Sequence, residues 1–167
     1  VYAGVTGIAE ATYFSPPMKQ VQTLAQTTQS TTPVAVTLPS GVTTVNFVAK
    51  EFQSRGMGFT LTMYGNCTGG ANTKTVTVLL NAATLVTATI AAATTNFKIV
   101  VKVATVTSNT SQYTYTEIIE NGVTPTVSFT TALAEALDSA STLTATFQVT
   151  NAADLIRLGM IELEEQH

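Results

Sequence analysis

Apolar and polar residues alternate with a period of two along most of this chain, in short runs broken by glycine, proline, asparagine and serine. In GMGFTLTMYG, Met57, Phe59, Leu61 and Met63 fall on one side and Thr60 and Thr62 on the other. TKTVTVLLN sets Val76, Val78 and Leu80 against Thr73, Thr75 and Thr77. NFKIVVKVATVT is the clearest half-buried strand, with Phe97, Ile99, Val101 and Val103 opposite Lys98, Val100 and Lys102. Successive strand side chains point to opposite faces, so each run predicts a strand with one buried face. Shorter runs of the same kind are VAVTLPSG, VTTVNFVAKEF (Val45, Phe47 and Ala49 on one face), ATLVTATIAA, QYTYTEIIENG, VTPTVSFTTAL, LTATFQVT and RLGMIELEE. Asn81-Ala82-Ala83 predicts a hairpin, and Asn121-Gly122 is a strong turn signal. The one helical candidate is ALAEALDS (132–139), with Leu133 and Leu137 four apart, too short to be stable alone. About eight to ten short antiparallel strands with almost no helix predict an all-β sandwich or barrel.

The first 33 residues break the pattern. VQTLAQTTQSTTP is polar without a sustained period, and TYFSPPMKQ places two aromatics beside Pro16-Pro17, which favour an extended path. Tyr2, Val5, Ile8, Tyr13, Phe14 and Met18 supply more apolar anchors than a disordered tail carries. The chain therefore divides into an extended N-terminal arm, 1–33, which gains order by lying on another surface, and a β domain, 34–167.

Composition narrows the function classes. Only 10% of the 167 residues are charged, against roughly 25% in a typical soluble domain, while threonine is about a fifth of the chain. A β-branched hydroxyl residue suits a pleated surface that is half in water. The net charge is −3 and the seven basic residues are scattered, whereas a phosphate-backbone binder needs a dense basic patch, so no nucleic-acid partner is expected. The longest run of small and apolar residues, around Ile90-Ala91-Ala92-Ala93, falls short of a membrane span. The segment VYAGVTGIAEATYF lacks the basic and long apolar regions of a secretory signal, so synthesis in the cytoplasm is the expectation.

Catalytic chemistry finds no foothold in the pattern. The single histidine is His167, which leaves no hydrogen-bonded triad, and no His/Cys/Asp/Glu spacing suits a metal. Glu117 and Glu120 differ by an odd number and so face opposite sides of a regular strand, and the remaining acids read as surface carboxylates. The Gly- and Asn-rich stretch GNCTGGAN is followed by strand-patterned TKTVTV rather than a helix, which excludes a phosphate loop. It reads as a sheet corner turned by Gly65, Gly69 and Gly70, with Lys74 as a strand-edge charge. Cys67 has no partner for an intrachain disulfide and reads as a small side chain near a strand end. No catalytic residue, cofactor, metal or small-molecule ligand is expected.

The order of signals from Gly56 onward resembles the jelly-roll virion proteins of tailed bacteriophages, namely head decoration (cement) proteins and trimeric appendages. GMGFTLTMYGN runs into ANTKTVTVLL, similar to the family's Gly…Asn-x-x-Lys-Thr corner; NFKIVVKV follows; and LTATFQVTNAADLI with LGMIELE forms a closing pair. The resemblance covers about two-thirds of the chain; the family often carries Trp where Phe97 stands. It implies a jelly-roll sandwich, a homotrimer on the capsid exterior, and a role in clamping neighbouring major capsid subunits. On that reading the arm residues Tyr2, Ile8, Tyr13, Phe14, Pro16, Pro17 and Met18 contact the capsid or a neighbouring subunit. Tyr64, Tyr113 and Tyr115 are candidates for trimer or ligand contact, and Tyr113 and Tyr115, sharing one strand face, fit either core or trimer contact. The alternative is a trimeric fibre or appendage domain binding host-surface glycans, for which the tyrosines would be stacking platforms.

Overall fold

In a computed structural model these runs form two antiparallel sheets packed face to face, an all-β sandwich. Residues 19–23, 25–48, 52, 55–108, 111–123, 125–133 and 140–166 are described. The strands are β1 (Lys19–Gln22), β2 (Gln26–Thr28), β3 (Val34–Ala35), β4 (Thr44–Phe47), β5 (Gly58–Thr68), β6 (Lys74–Leu80), β7 (Ala83–Ile90), β8 (Asn96–Ser108), β9 (Ser111–Glu120), β10 (Thr126–Leu133), β11 (Ser141–Val149) and β12 (Leu155–Gln166). A seven-stranded sheet runs β1-β12-β5-β8-β9-β10, with β2 also on β12; a five-stranded sheet runs β3-β11-β6-β7, with β4 also on β11.

The core lies where the alternation predicts it. Val76, Val78 and Leu80 of β6 face Phe59, Leu61 and Met63 of β5 and Ile99 and Val101 of β8, all of them buried. Phe47, Phe52 and Phe59 close one end, with Phe47 edge-on to Phe52 at 4.8 Å and stacked on Phe59 at 5.1 Å. Such pairs add to the stabilisation that their buried area already provides.

Both predicted hairpins form. At the β6–β7 turn Asn81 adopts φ 53°, and between β9 and β10 Asn121 and Gly122 adopt 52° and 72°. Two successive positive φ values are the geometry that Asn-Gly favours. Asn121 also ties its turn to the preceding loop, its Oδ1 accepting from the Thr95 N–H (2.8 Å), the Thr95 hydroxyl (2.9 Å) and the Asn96 N–H (3.1 Å).

Several expectations are revised. Ala132 and Leu133 of the helical candidate end strand β10, Leu133 pairing with Gln112, while 134–139 lie outside the described residues. At these two residues cross-strand pairing overrides local helical spacing. VAVTLPSG is strand only at Val34–Ala35, then turns through a 3₁₀ segment at Pro39–Gly41. The expected arm contributes two strands to the larger sheet, with Lys19 opposite Glu164 and Thr27 opposite Arg157. The Gln26 side chain fastens this stretch, donating to the Thr37 carbonyl at 2.6 Å and accepting from the Thr37 N–H. The arm residues Tyr2, Ile8, Tyr13, Phe14, Pro16, Pro17 and Met18 lie outside the described residues, as does Ala49.

Candidate functional site

The outer face of the seven-stranded sheet is built of registered rows. One row runs Lys19, Glu164, Thr60, Lys102, Tyr115, Phe129 across β1, β12, β5, β8, β9 and β10. The next, two residues along each strand, runs Val21, Glu162, Thr62, Val100, Glu117, Val127. A third holds Met160, Tyr64, Lys98 and Ile119.

These rows place the three expected tyrosines. Tyr113 and Tyr115 point outward from β9, so they are not core residues; the side of β9 turned to the other sheet carries Gln112, Thr114 and Thr116, all buried. The reversal escapes a reading of alternation alone, because alternation fixes the period and not which face meets the core. Tyr113 packs on Phe129 of β10, ring centroids 5.2 Å apart. Tyr64 shares the outer face but stands two rows and two strands from Tyr115, roughly 15 Å away by strand geometry. Its ring is occupied by the Lys98 ammonium, 5.7 Å from the centroid.

Phe129 and Val127 were not singled out by sequence reasoning, and they are the most informative residues here. β10 is the edge strand, and Thr126 to Thr130 are exposed on both faces, with Val127 51% and Phe129 60% accessible. Lys102, Ala104, Tyr113, Tyr115 and Phe129 line a shallow hollow of about 290 Å³. The Tyr115 hydroxyl donates to Glu117 at 3.3 Å; desolvation, then the Glu117 charge and that bond, hold the phenol above its ordinary value. At the far end of the rows Lys19 pairs with Glu162 at 3.2 Å. The face combines an apolar, aromatic end at β9–β10 with a charged end at β1–β12, a composition suited to binding another surface. Among the described residues no group of three or more His, Cys, Asp or Glu could hold a metal ion.

The Gly/Asn-rich corner differs from its expected form. β5 continues to Thr68, so Gly65 is a strand residue and the turn begins at Gly69. A side chain at Gly65 would strike the Phe97 ring at 2.2 Å, which accounts for glycine there. Lys74 is not a strand-edge charge: its side chain is fully buried, with Nζ donating to the Asn72 carbonyl at 2.8 Å and 3.9 Å from Asp154 Oδ2. Asp154 is equally buried, and its Oδ1 accepts from the Gly70 N–H at 2.6 Å.

Cys67 faces inward beside this pair. Burial pushes its thiol from 9.0 up to about 11, with Lys74 pulling it down and Glu120 and Asp154 adding to the rise. In the folded chain the thiol therefore keeps a proton that the unfolded chain loses. Its stabilising contribution is complete below the unfolded value and disappears as pH rises through the window from 9 to about 11. In urea titrations across that window, wild type should lose stability more steeply than Cys67→Ala; parallel curves would contradict this.

No protein-family model, curated protein or solved structure matches this chain.

Proposed function

We propose that the chain is a structural virion protein: a head decoration (cement) protein of jelly-roll type that sits on the capsid exterior as a homotrimer. In this role it clamps neighbouring major capsid subunits and makes or breaks no bond of a substrate. The observation that carries the self-association is the reversed polarity of β9 and β10. Tyr113, Val127 and Phe129 face outward while Gln112, Thr114 and Thr116 fill the inner side. An edge strand that displays an exposed phenylalanine is an aggregation hazard unless something covers it. A second copy of the chain is the cover proposed. The capsid assignment rests on the order of strand, corner and strand quoted above, and on the anchors spaced along 1–18. Three such arms on one trimer would act as linked modules, each raising the effective concentration of the others at the lattice.

The fibre-tip alternative draws less support from this face, since Lys98 stands over the Tyr64 ring that a sugar would stack on. Because Lys19–Gln22 and Gln26–Thr28 belong to the sheet, the informative truncation removes 1–18 and no more. The truncated protein is expected to remain a folded trimer by light scattering and to lose binding to isolated capsids. Decoration with unchanged affinity would overturn the role given to the arm, and a monomeric full-length chain would overturn the trimer.

A further inference from the structure

The buried pair beneath the corner is set up for chemistry that an ordinary ion pair does not need. Lys74 opens β6 between Val149 of β11 and Ile90 of β7, both fully buried, and Asp154 closes the β11–β12 connection. Neither side chain reaches water. Taking an ammonium and a carboxylate out of water costs several kcal/mol per ion, and only close, fully hydrogen-bonded geometry recovers it. That geometry is missing. Nζ and Oδ2 stand 3.9 Å apart, beyond hydrogen-bond distance, and Oδ2 has no hydrogen-bond partner among the described residues. The two carboxylate oxygens are thus inequivalent, one held by a backbone N–H and the other free on the side that meets the amine.

We propose that Lys74 and Asp154 condense to an intramolecular isopeptide bond. The first step moves one proton from Nζ to Oδ2, which leaves a neutral amine and a carboxylic acid. The neutral amine, steered by its hydrogen bond to the Asn72 carbonyl, swings on its flexible stem and attacks Cγ of Asp154. Negative charge then develops on Oδ1, where the Gly70 N–H already donates, the arrangement of an oxyanion hole. Oδ2 leaves as water with the proton it took first and a second one from Nζ. An ammonium and a carboxylate thereby become a secondary amide and one water, with no oxidant, reductant or other reactant. Exclusion of bulk water from the site disfavours the reverse hydrolysis. Gly69 is part of this arrangement: at φ 101° a side chain there would lie 2.5 Å from Asp154 Oδ1 and push the corner off the carboxyl. The bond would pin the start of β6 in the smaller sheet to the residue that leads into β12 of the larger one, so that this corner could not open without breaking a covalent link.

Intact-mass measurement of the full-length protein under denaturing conditions tests this. Wild type is expected to be lighter than its sequence by the mass of one water, and digestion should yield a branched peptide joining Lys74 to Asp154. Lys74→Arg keeps the charge but offers no amine for the amide, and should restore the full sequence mass while the protein still folds by circular dichroism. A wild-type mass equal to that of the sequence would overturn the proposal. So would a missing water that persists in Lys74→Arg, which would place the loss outside a Lys74 amide, as in a cyclic imide at an aspartate.

Discussion

Asp154→Ala is expected to be the most destabilising single substitution in the corner, lowering unfolding free energy by about 3–5 kcal/mol. The carboxylate does three things at once. Before condensation it opposes the Lys74 charge, accepts the Gly70 N–H, and fills the space that a side chain on Gly69 would need. Without it a fully buried ammonium keeps the Asn72 carbonyl as its one acceptor among the described residues, and the Gly70 N–H loses its Asp154 acceptor. For a chain of this length each kcal/mol moves the melting temperature by roughly 2–4 °C, so a fall on the order of 10 °C is expected by differential scanning fluorimetry. The double variant Lys74→Met/Asp154→Leu separates charge from covalency. Replacing a buried ion pair by apolar residues of similar volume is commonly neutral or stabilising, so the desolvation cost disappears. A crosslink, by contrast, cannot be restored by apolar packing. Partial recovery is expected, the shortfall reporting the amide bond. A single variant as stable as wild type would mean that the pair contributes nothing, and the account of the corner would fail.

The strength of the sequence signal differed sharply between elements, for reasons that particular residues show. β8 was plain because Phe97, Ile99, Val101 and Val103 are all apolar and all inward, so pattern and burial agree. Residue type alone reads Lys74 as a strand-edge charge, although the alternation itself places it in phase with Val76, Val78 and Leu80, and Asp154 in phase with Ile156 and Leu158. The period carried the right answer, and the general rarity of buried charges argued against it. β9 failed the other way. The alternation offers Tyr113 and Tyr115 on one face and only Ile118 as an apolar residue on the other, and nothing local reveals that Gln112, Thr114 and Thr116 would be turned inward by the registers with β8 and β10. The segment 19–28 lacks a strand period because both of its short strands lie on the edge formed by β12, where pairing rather than a buried face holds them. The sequence singles out Tyr113 and Tyr115 but not Phe129, whose exposure on the edge strand only the fold reveals.

If copies of the chain meet through the β9–β10 face in the proposed trimer, Phe129→Glu is expected to convert that trimer to monomer without unfolding the chain. Phe129 is 60% exposed on an edge strand, so its removal opens no cavity and leaves the core intact. Surface changes of this kind usually alter stability by less than about 0.5 kcal/mol. In a closed three-fold ring, however, one substitution appears in three equivalent interfaces. Truncating a buried aromatic anchor costs about 2 kcal/mol or more, and a carboxylate placed against the Tyr113 and Tyr115 rings of a desolvated contact adds its own penalty. Three such losses come to about 6 kcal/mol, or roughly four powers of ten in the trimer's dissociation constant. Tyr64→Glu on the same face, two rows away and beside Lys98, is the control and should leave assembly within reach of wild type. Sedimentation or light scattering at micromolar concentration reads both, with circular dichroism verifying the fold. If Phe129→Glu stays trimeric while folded, the β9–β10 face is not where copies of this chain meet, and the reversed polarity of these strands must answer to another partner.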